Sequence, residues 1–215
     1  MMKLPAMTLT RKHMPKSTAL RPRLAASLIT IDHNDGTPLI LMGRRSDAHV
    51  FMPGYHVFPG GGVERQDYRG ADVLEPAEVE CVLRGLPARA TANTAQTIAR
   101  AALREMTEET GFQAKNTDAL RLHYLGRAIT PPGQVRRYDT RFFISTRSNF
   151  EPAPSAPDNE LLELEWVDIA QLDKLKIHRI TAFMLQQTQR FLTAGKAAQR
   201  PCVHTRYGKQ YIRDE

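Results

Sequence analysis

Three glutamates in one short segment have the spacing that suits binding of a divalent cation. The segment is Arg104-Glu105-Met106-Thr107-Glu108-Glu109-Thr110-Gly111-Phe112, and a helix would place Glu105, Glu108 and Glu109 at i, i+3 and i+4 on one narrow face. Like charges at this spacing repel each other by about 0.2–0.5 kcal/mol for each pair. A bound cation would remove the repulsion, and carboxylate oxygens suit Mg²⁺ or Mn²⁺. The segment therefore predicts a carboxylate metal site on a helix.

The helix that would carry these glutamates has start and stop signals. Gly111 suits the left-handed residue that ends a helix, and Thr94 or Asn93 suits the N-cap residue that begins it. Apolar residues recur with the helical period on the side that would face a core, at Ile98, Ala101, Ala102 and Met106. We therefore expect a helix that begins near residue 94 and stops just past its carboxylates.

Strand-like and helix-like stretches on either side of this segment predict the other elements. Turn residues at 33–37 separate two buried strands and indicate a hairpin. A loop with two prolines and a glycine at 130–134 separates two further strands. The expected strands are residues 25–31, 38–43, 120–129, 138–145 and 161–167, and the further helices are residues 76–85 and 180–192. This mixture predicts an α/β fold.

A run of three glycines, Gly60, Gly61 and Gly62, follows Pro59. Glycines allow close approach of the backbone to a partner, or a positive φ. The run alone is weak evidence for a phosphate-binding loop, because glycine runs are more often simple turns. Residues at about 67–95 then interrupt the pattern. We interpret them as an insertion, which is either a surface excursion or a lid or specificity element.

Length and composition are those of an ordinary globular protein. The chain has 215 residues, 41% hydrophobic and 25% charged, which suffices for one well-filled core. We expect a single domain at 22–195, a basic and flexible arm at 1–21 and a polar C-terminal extension at 196–215. No apolar run is long enough to span a membrane and no secretory signal is recognisable, so we expect a cytoplasmic protein. Cys81 and Cys202 lie far apart without CxxC spacing and are expected to be reduced thiols.

The net charge of +7 is concentrated near the N-terminus. Six lysines and arginines, and no acidic residue, precede residue 25, whereas the remainder of the chain is nearly balanced. Such an arm is usually a solvated tail, and its alternative role is to bind an anionic partner such as RNA.

The residues Gly61 to Glu64 together with Arg104 to Phe112 resemble the Nudix box. Its usual form is G-x5-E-x7-R-E-U-x-E-E-x-G-U, where U is an apolar residue, and the second half matches at every specified position. In the first half, Asp67 stands where the pattern has glutamate, and 36 residues (68–103) separate it from Arg104. An alternative alignment places Gln96 at the same position. Either Asp67 or Glu64 is therefore a candidate to join the site.

A long insertion at this point is similar to one branch of the Nudix family, the branch that includes the peroxisomal acyl-CoA diphosphatases. Residues 58–61, 130–133, 137–143 and 158–167 are also similar to that branch, so the resemblance covers roughly residues 22–195. It implies a Nudix-type α/β/α sandwich with a mixed central sheet, in which the box forms a loop, a helix and a second loop.

The resemblance also implies a metal-dependent hydrolase. Nudix enzymes hydrolyse a nucleoside diphosphate linked to another moiety, and the branch favours coenzyme A, acyl-CoA or a related ADP-containing compound. The implied cofactor is Mg²⁺ or Mn²⁺, held by the carboxylates of the box and one glycine carbonyl: Glu105, Glu108, Glu109 and Gly60 or Gly61.

The remaining site residues follow from the same resemblance. The expected catalytic residues are Glu105, Glu108, Glu109, Glu160 and Arg104. Among them Arg104 would orient a box carboxylate and Glu160 would be the general base, with Glu163 and Glu165 as alternatives. Substrate is expected to contact Arg45, Arg137, Arg141, Gly60 and Gly61. Arg141 has an alternative role, an ion pair with Asp139 on the sheet.

Two other functions fit the same residues. One is hydrolysis of a cap or pyrophosphate at RNA 5′ ends, which the basic arm motivates and which predicts steep salt dependence. The other is an inactive Nudix-fold ligand sensor, against which the complete segment Arg104 to Gly111 argues. The favoured partner is a small-molecule nucleotide diphosphate, with no membrane association, and the resemblance suggests a homodimer.

Overall fold

The hairpin predicted around residues 33–37 forms the middle of the structure. A computed structural model describes residues 20–47, 53–154, 157, 160–195, 200–206 and 209–214. Within them the strands are β1 (Arg23–Asn34), β2 (Thr37–Arg45), β3 (His56–Val57), β4 (Gly60–Gly62), β5 (Phe112–Ala114), β6 (His123–Ile129), β7 (Tyr138–Thr146), β8 (Phe150–Pro152), β9 (Leu161–Asp168), β10 (Pro201–Arg206) and β11 (Lys209–Asp214). The helices are α1 (Pro76–Leu83), α2 (Ala92–Thr110) and α3 (Arg179–Ala194), with 3₁₀ turns at Arg65–Tyr68, Arg147–Asn149 and Leu172–Lys174.

One mixed sheet contains nine of the described strands. Its order is β11-β10-β6-β7-β1-β2-β3, while β4 pairs with the N-terminal part of β1 and β9 pairs with β2. β1 runs parallel to β7 and β10 runs parallel to β6, whereas the other pairs in this sheet are antiparallel. β5 and β8 form a separate two-stranded sheet.

Helices cover both faces of the large sheet. Successive side chains of β1 point to opposite faces, as the geometry of a strand requires. Leu28 lies in one core cluster with Met106 of α2, and Ile29 lies in another with Met184 of α3; all four residues are completely buried. α1 belongs to the α2 side through Val82. The predicted α/β/α sandwich with a mixed central sheet is therefore confirmed.

The central helix begins earlier than predicted and ends where predicted. The N-cap of α2 is Thr91, so the prediction of Thr94 or Asn93 is wrong. The physical reason is a capping box, in which the hydroxyl of Thr94, three residues along, accepts a hydrogen bond from Thr91 N at 3.1 Å. At the other end, Gly111 adopts the left-handed conformation with φ 70°, which confirms the predicted stop.

The C-terminal residues, for which the sequence predicts only a polar extension, contribute to the sheet. β10 lies beside β6 and buries Cys202 and Val203, and β11 pairs with β10 at the sheet edge. Both cysteines are free thiols, as predicted. Of the predicted basic arm at 1–21, residues 1–19 lie outside the described residues. No helix in the described part of the chain is long and apolar enough to cross a membrane.

Three charged residues of β6 and β7 are buried together in the sheet. Arg127 and Arg141 are cross-strand neighbours, and both guanidiniums bond Asp139, with N–O distances of 2.6 Å and 2.8 Å from Arg127 and 2.8 Å from Arg141. Burial alone would raise the pKa of Asp139, but the hydrogen bond from Arg127 and the charge of Arg141 hold this pKa below its usual value. One carboxylate therefore compensates two buried guanidiniums.

Replacing Asp139 by Asn should destabilise the fold. The change removes the carboxylate that both buried guanidiniums bond, and we expect the free energy of unfolding to fall by about 3–5 kcal/mol in urea titrations at neutral pH. Asp118→Asn, at an exposed position, is the control and should change stability by less than about 0.5 kcal/mol.

The pH dependence of stability in the wild type and in Asp139→Asn gives a second test. Because the folded-state pKa of Asp139 is lower than its unfolded value, its contribution is present at neutral pH and is lost as the pH falls below about 4. The stabilities of the wild type and Asp139→Asn should converge there. Equal stability of the two at neutral pH would contradict the assigned role.

Candidate active site

Glu109 is the most enclosed glutamate of the predicted metal site. The residue has no exposed surface, and its Oε2 accepts a hydrogen bond from Gly60 N at 2.7 Å. Its Oε1 is buried and has no hydrogen-bond partner among the described residues. Burying a carboxylate oxygen without a partner is costly. This atom therefore marks a position where a cation or a proton is needed.

The glycine run is a short strand that lies directly under α2. β4 pairs with β1 so that Gly61 is opposite Ala26. A Cβ on Gly60 would lie 2.5 Å from the carbonyl oxygen of Ala26, and a Cβ on Gly61 would lie 2.5 Å from Cδ of Glu105. Both distances are far below an ordinary contact, so a side chain at Gly60 would collide with backbone, whereas a side chain at Gly61 would displace the carboxylate of Glu105. The missing side chains allow the carboxylates of α2 to reach the backbone of the strand.

Arg104 connects the two halves of the predicted box. Its guanidinium lies 3.0 Å from Oδ1 of Asp67, 2.9 Å from Oε1 of Glu105 and 2.6 Å from Oε2 of Glu108. Nη2 also donates to the carbonyl oxygen of Gly62 at 2.8 Å. The sequence predicts that Arg104 orients one box carboxylate, and the structure shows it bonded to two. The contact with Gly62 is not predicted, because a backbone acceptor leaves no signal in the sequence.

Asp67 takes the place that the first half of the box reserves for an acid. It is 3% exposed and bonds Arg104, although 36 residues (68–103) separate the two. Gln96, the alternative, is bonded elsewhere, since its Oε1 accepts hydrogen bonds from the backbone N of Val73 and Leu74 at 2.9 and 3.1 Å. Glu64 receives no contact from Arg104 among the described contacts and instead caps the 3₁₀ turn. The structure therefore brings Asp67, and not Gln96, to Arg104.

Negative charge is crowded at this site. Burial raises the pKa of Glu105 to about 7, although the ion pair with Arg104 works in the opposite direction. Burial also raises the pKa of Glu109 well above its usual value, against the hydrogen bond from Gly60 N. The nearby charge of Glu160 adds to both increases. Positive charge placed among these carboxylates would reverse each shift.

Arg45 and Glu160 meet next to the box glutamates. Nη1 of Arg45 donates to Oε1 of Glu160 at 3.2 Å, and Nη2 donates to the carbonyl oxygen of Gly60 at 3.5 Å. Arg45 and Glu109 thus contact the same residue, Gly60, and the positive charge of Arg45 opposes the rise in the pKa of Glu109. The structure thus brings two more predicted site residues to the same place.

The alternative general bases are engaged by other partners. Both carboxylate oxygens of Glu163 accept hydrogen bonds from Arg44 at 3.0 Å. Oε1 of Glu165 lies 3.5 Å from Nε2 of His56. Of the three acids considered, Glu160 is the one whose charge acts on both Glu105 and Glu109.

Two of the predicted substrate-binding arginines lie elsewhere. Arg137 donates to the carbonyl oxygens of Thr130 and Leu20, so it ties its loop to the start of the described chain. Arg141 is 0% exposed and bonded to Asp139, which is the alternative role considered for it. A fully buried guanidinium offers no surface to a substrate phosphate. In this conformation neither residue joins the box.

The oxygen atoms of the box glutamates are suitable ligands for a divalent cation, although two of these glutamates bond a protein partner in this structure. Among the described residues, no three His, Cys, Asp or Glu side chains already surround a metal-sized point. Glu105 and Glu108 are held by Arg104 instead. The free Oε1 of Glu109 is the observation that favours a cation, because Mg²⁺ and Mn²⁺ prefer oxygen ligands. Glu105, Glu108 and the carbonyl of Gly60 or Gly61 could supply further oxygens.

An α/β/α sandwich with clustered carboxylates on a helix that ends in a left-handed glycine is the arrangement of the Nudix class. The NUDIX domain model matches residues 21–191, and the chain belongs to that family. A NUDIX hydrolase from Alicyclobacillus acidocaldarius is similar in structure, with a TM-score of 0.53, 24% identity and coverage of 77% of this chain and 90% of that chain. A search of curated proteins gives no match.

Two further solved structures share the fold. The NUDIX domain of Shewanella oneidensis NrtR, complexed with ADP ribose, has a TM-score of 0.52 and 11% identity over 84% of this chain and 94% of that chain. A MutT NUDIX hydrolase from Burkholderia pseudomallei has a TM-score of 0.50 and 20% identity over 78% of this chain and 98% of that chain. At these identities the likeness establishes the fold alone. Family membership and the box together make the chain a Nudix diphosphohydrolase.

Alanine at the two glycines should have different effects. In Gly60→Ala the new Cβ meets backbone atoms that cannot move, so we expect a loss of about 1–3 kcal/mol in the free energy of unfolding. In Gly61→Ala it meets the flexible end of Glu105, so the fold should be retained while the carboxylate is displaced. Urea unfolding of both variants tests this. Equal destabilisation by the two substitutions would show that β4 does not lie under α2 as described.

Proposed function

We propose that this chain hydrolyses a nucleoside diphosphate linked to another moiety in a metal-dependent reaction, and that its substrate is coenzyme A, an acyl-CoA or a related ADP-containing compound. The observation that carries the proposal is the buried Oε1 of Glu109, which has no partner among the described residues and lies next to two further carboxylates. A cytoplasmic location and a homodimer stay predictions from the sequence.

The residues that would hold Mg²⁺ or Mn²⁺ are Glu105, Glu108 and Glu109, with the carbonyl of Gly60 or Gly61. The cation, when bound, would neutralise phosphate charge and lower the pKa of the attacking water. The electrostatics of the box carboxylates support a bound cation. The carboxylates of Glu105 and Glu109 repel each other, and burial disfavours their charged forms.

The other residues have separate roles under this proposal. Arg45 is a cation that contacts Gly60, as Glu109 does, and would bind a phosphate oxygen of the substrate. Glu160, which Arg45 holds by its Oε1, would accept the proton of the attacking water. Arg104 would keep Glu105 and Glu108 in place through charge-assisted bonds.

Two considerations support the substrate class. The similar NUDIX domain of NrtR was crystallised with ADP ribose, a nucleoside diphosphate linked to another moiety. Within that class, the choice of coenzyme A rests on a resemblance to the acyl-CoA diphosphatase branch. The resemblance lies in residues 58–61, 130–133, 137–143 and 158–167 and in the interruption between Asp67 and Arg104.

A substrate panel with Mg²⁺ and Mn²⁺ tests the proposed function. We expect turnover of coenzyme A above that of a dinucleotide, an ADP-sugar and capped RNA, with cleavage between the two phosphates. Selective turnover of capped RNA, with steep salt dependence that is lost on removal of residues 1–21, would favour the RNA function. No turnover of any member would favour a ligand sensor.

In the same assay, Glu108→Gln should lose activity by at least about 100-fold, because it removes a proposed ligand and a partner of Arg104. Glu80→Gln, an exposed change of the same type on α1, should keep the wild-type rate. Wild-type turnover by Glu108→Gln would contradict the proposed site.

Replacing Glu160 by Gln should lower kcat by about 100-fold to 10,000-fold, since the proton acceptor is lost while the box is intact. KM and Mn²⁺ affinity should change little. The matched control is Glu163→Gln, whose side chain is engaged by Arg44. A larger loss of kcat in Glu163→Gln than in Glu160→Gln would show that Glu160 is not the general base.

A further inference from the structure

An exposed basic face lies between the glycine strand and α2. The 3₁₀ turn Arg65–Tyr68 and the next residue present Arg65, Tyr68 and Arg69 to solvent, and the Tyr68 residue is 55% exposed. These three residues, the Arg65 face below, line a depression of about 750 Å³ together with Gln66. The depression is open to solvent on one side.

The depression continues toward the active site. A second hollow of about 340 Å³ shares Gln66 and Arg69 with the first, and Arg104 forms part of its wall. Arg104 also bonds the box carboxylates Glu105 and Glu108. A ligand that occupies the hollows would therefore be separated from the box glutamates by one guanidinium.

The turn that carries the Arg65 face is fixed to α2. Arg100 donates to the carbonyl oxygen of Ala71 at 2.8 Å, and its Nη2 lies 2.9 Å from Oδ1 of Asp72. Asp67, inside the turn, is bonded to Arg104. Because both sides of the turn are held, the exposed side chains are displayed from a defined backbone.

No ion pair engages the two arginines of the Arg65 face within the described residues. The guanidiniums of Arg65 and Arg69 have no ion-pair or hydrogen-bond partner within the described parts of the chain. The acids of this segment have other partners: Asp67 bonds Arg104, Asp72 bonds Arg100, and Glu64 accepts a hydrogen bond from Nε2 of Gln66. Two free arginines beside an exposed aromatic ring suit a ligand that offers a phosphate and a planar base.

We propose that the Arg65 face binds a phosphate that the substrate carries in addition to its diphosphate, with the base of the same nucleoside stacked on Tyr68. The proposal rests on the proposed function, since it assigns the face to the substrate of that site. The substrate class becomes nucleoside diphosphate derivatives with a further phosphate on the nucleoside. The substrate, rather than a polymer, is favoured because the second hollow ends at Arg104, which bonds the box carboxylates.

Binding is the direct test and does not depend on turnover. We would measure the affinity of adenosine 3′,5′-bisphosphate and of AMP by calorimetry for the wild type, for Arg65→Ala/Arg69→Ala and for Arg89→Ala. Arg89 is an exposed arginine of the same segment that lines neither hollow. We expect the wild type and Arg89→Ala to prefer the bisphosphate by about tenfold, and the double variant to bind both ligands equally.

Tyr68→Ala separates the base from the phosphate. It should weaken both ligands by about the same factor, near tenfold, and keep their ratio. No preference for the bisphosphate in the wild type, or a preference that survives in the double variant, would overturn the proposal. A third outcome would also overturn the proposal: the double variant loses affinity for a 5′-phosphorylated oligonucleotide but keeps its affinity for the bisphosphate. The Arg65 face would then bind nucleic acid.

Kinetics distinguish this proposal from the proposed function. We expect the ratio of kcat/KM for coenzyme A and 3′-dephospho-coenzyme A to fall about tenfold in the double variant and to stay unchanged in Arg89→Ala. If the double variant turns over both substrates with an unchanged ratio of kcat/KM, the role of the Arg65 face is refuted and the proposed reaction is not. Absence of turnover together with the expected bisphosphate binding would refute the proposed reaction and leave the face as a binding site.

Discussion

The rest of the structure depends on the burial of one carboxylate. Glu109 has no exposed surface, and among the described residues only one of its oxygens has a protein donor, the backbone N of Gly60. An ionised group in such a place is unfavourable unless charge or hydrogen bonds compensate it. Glycine at 60 lets β4 lie against β1, and glycine at 61 leaves room for the carboxylate of Glu105 on α2. The fold thus buries negative charge without full compensation at Glu109, next to Glu105 and Glu108, which could also bind a cation.

Arg104 is the second organising interaction, because it unites parts of the chain that are distant in sequence. Its bonds to Asp67 and to Gly62 bring the end of the glycine strand to α2, across a segment of 36 residues. That segment is itself tied back to α2 by Gln96 and Arg100, through backbone groups of residues 71–74. Asp67 and Arg104 are consequently neighbours in space although 36 residues separate them in the sequence. Those residues add surface next to the site without separating the two.

Local signals in the sequence predict most of the fold, since caps, turns and periodicity act over a few residues. Such local signals are sufficient to predict the end of α2 at Gly111 and the hairpin of β1 and β2. They also predict the helices α1 and α3. The start of α2 is mispredicted because both Thr91 and Thr94 have capping side chains, and only the geometry of the first turn selects between them. The strands β10 and β11 are missed because most of their residues are polar and because β10 joins the sheet through a non-local pairing with β6.

For the site, helical spacing alone brings the three glutamates together, whereas the other members depend on tertiary structure. Sequence could not decide between Asp67 and Gln96, because the answer is a contact between residues far apart in the chain. Nor could it show that Arg141 would be buried against Asp139, since alternation along a strand does not reveal which face is covered.

The central claim, that the buried carboxylate cluster is built for a divalent cation, is tested most directly by anomalous diffraction from crystals of the full chain soaked in Mn²⁺. The account predicts an anomalous peak about 2.1 Å from Oε1 of Glu109, with Glu105 or Glu108 turned away from Arg104 to share it. A peak elsewhere, or no peak and an Oε1 that instead bonds a protein donor or a proton, would contradict the account.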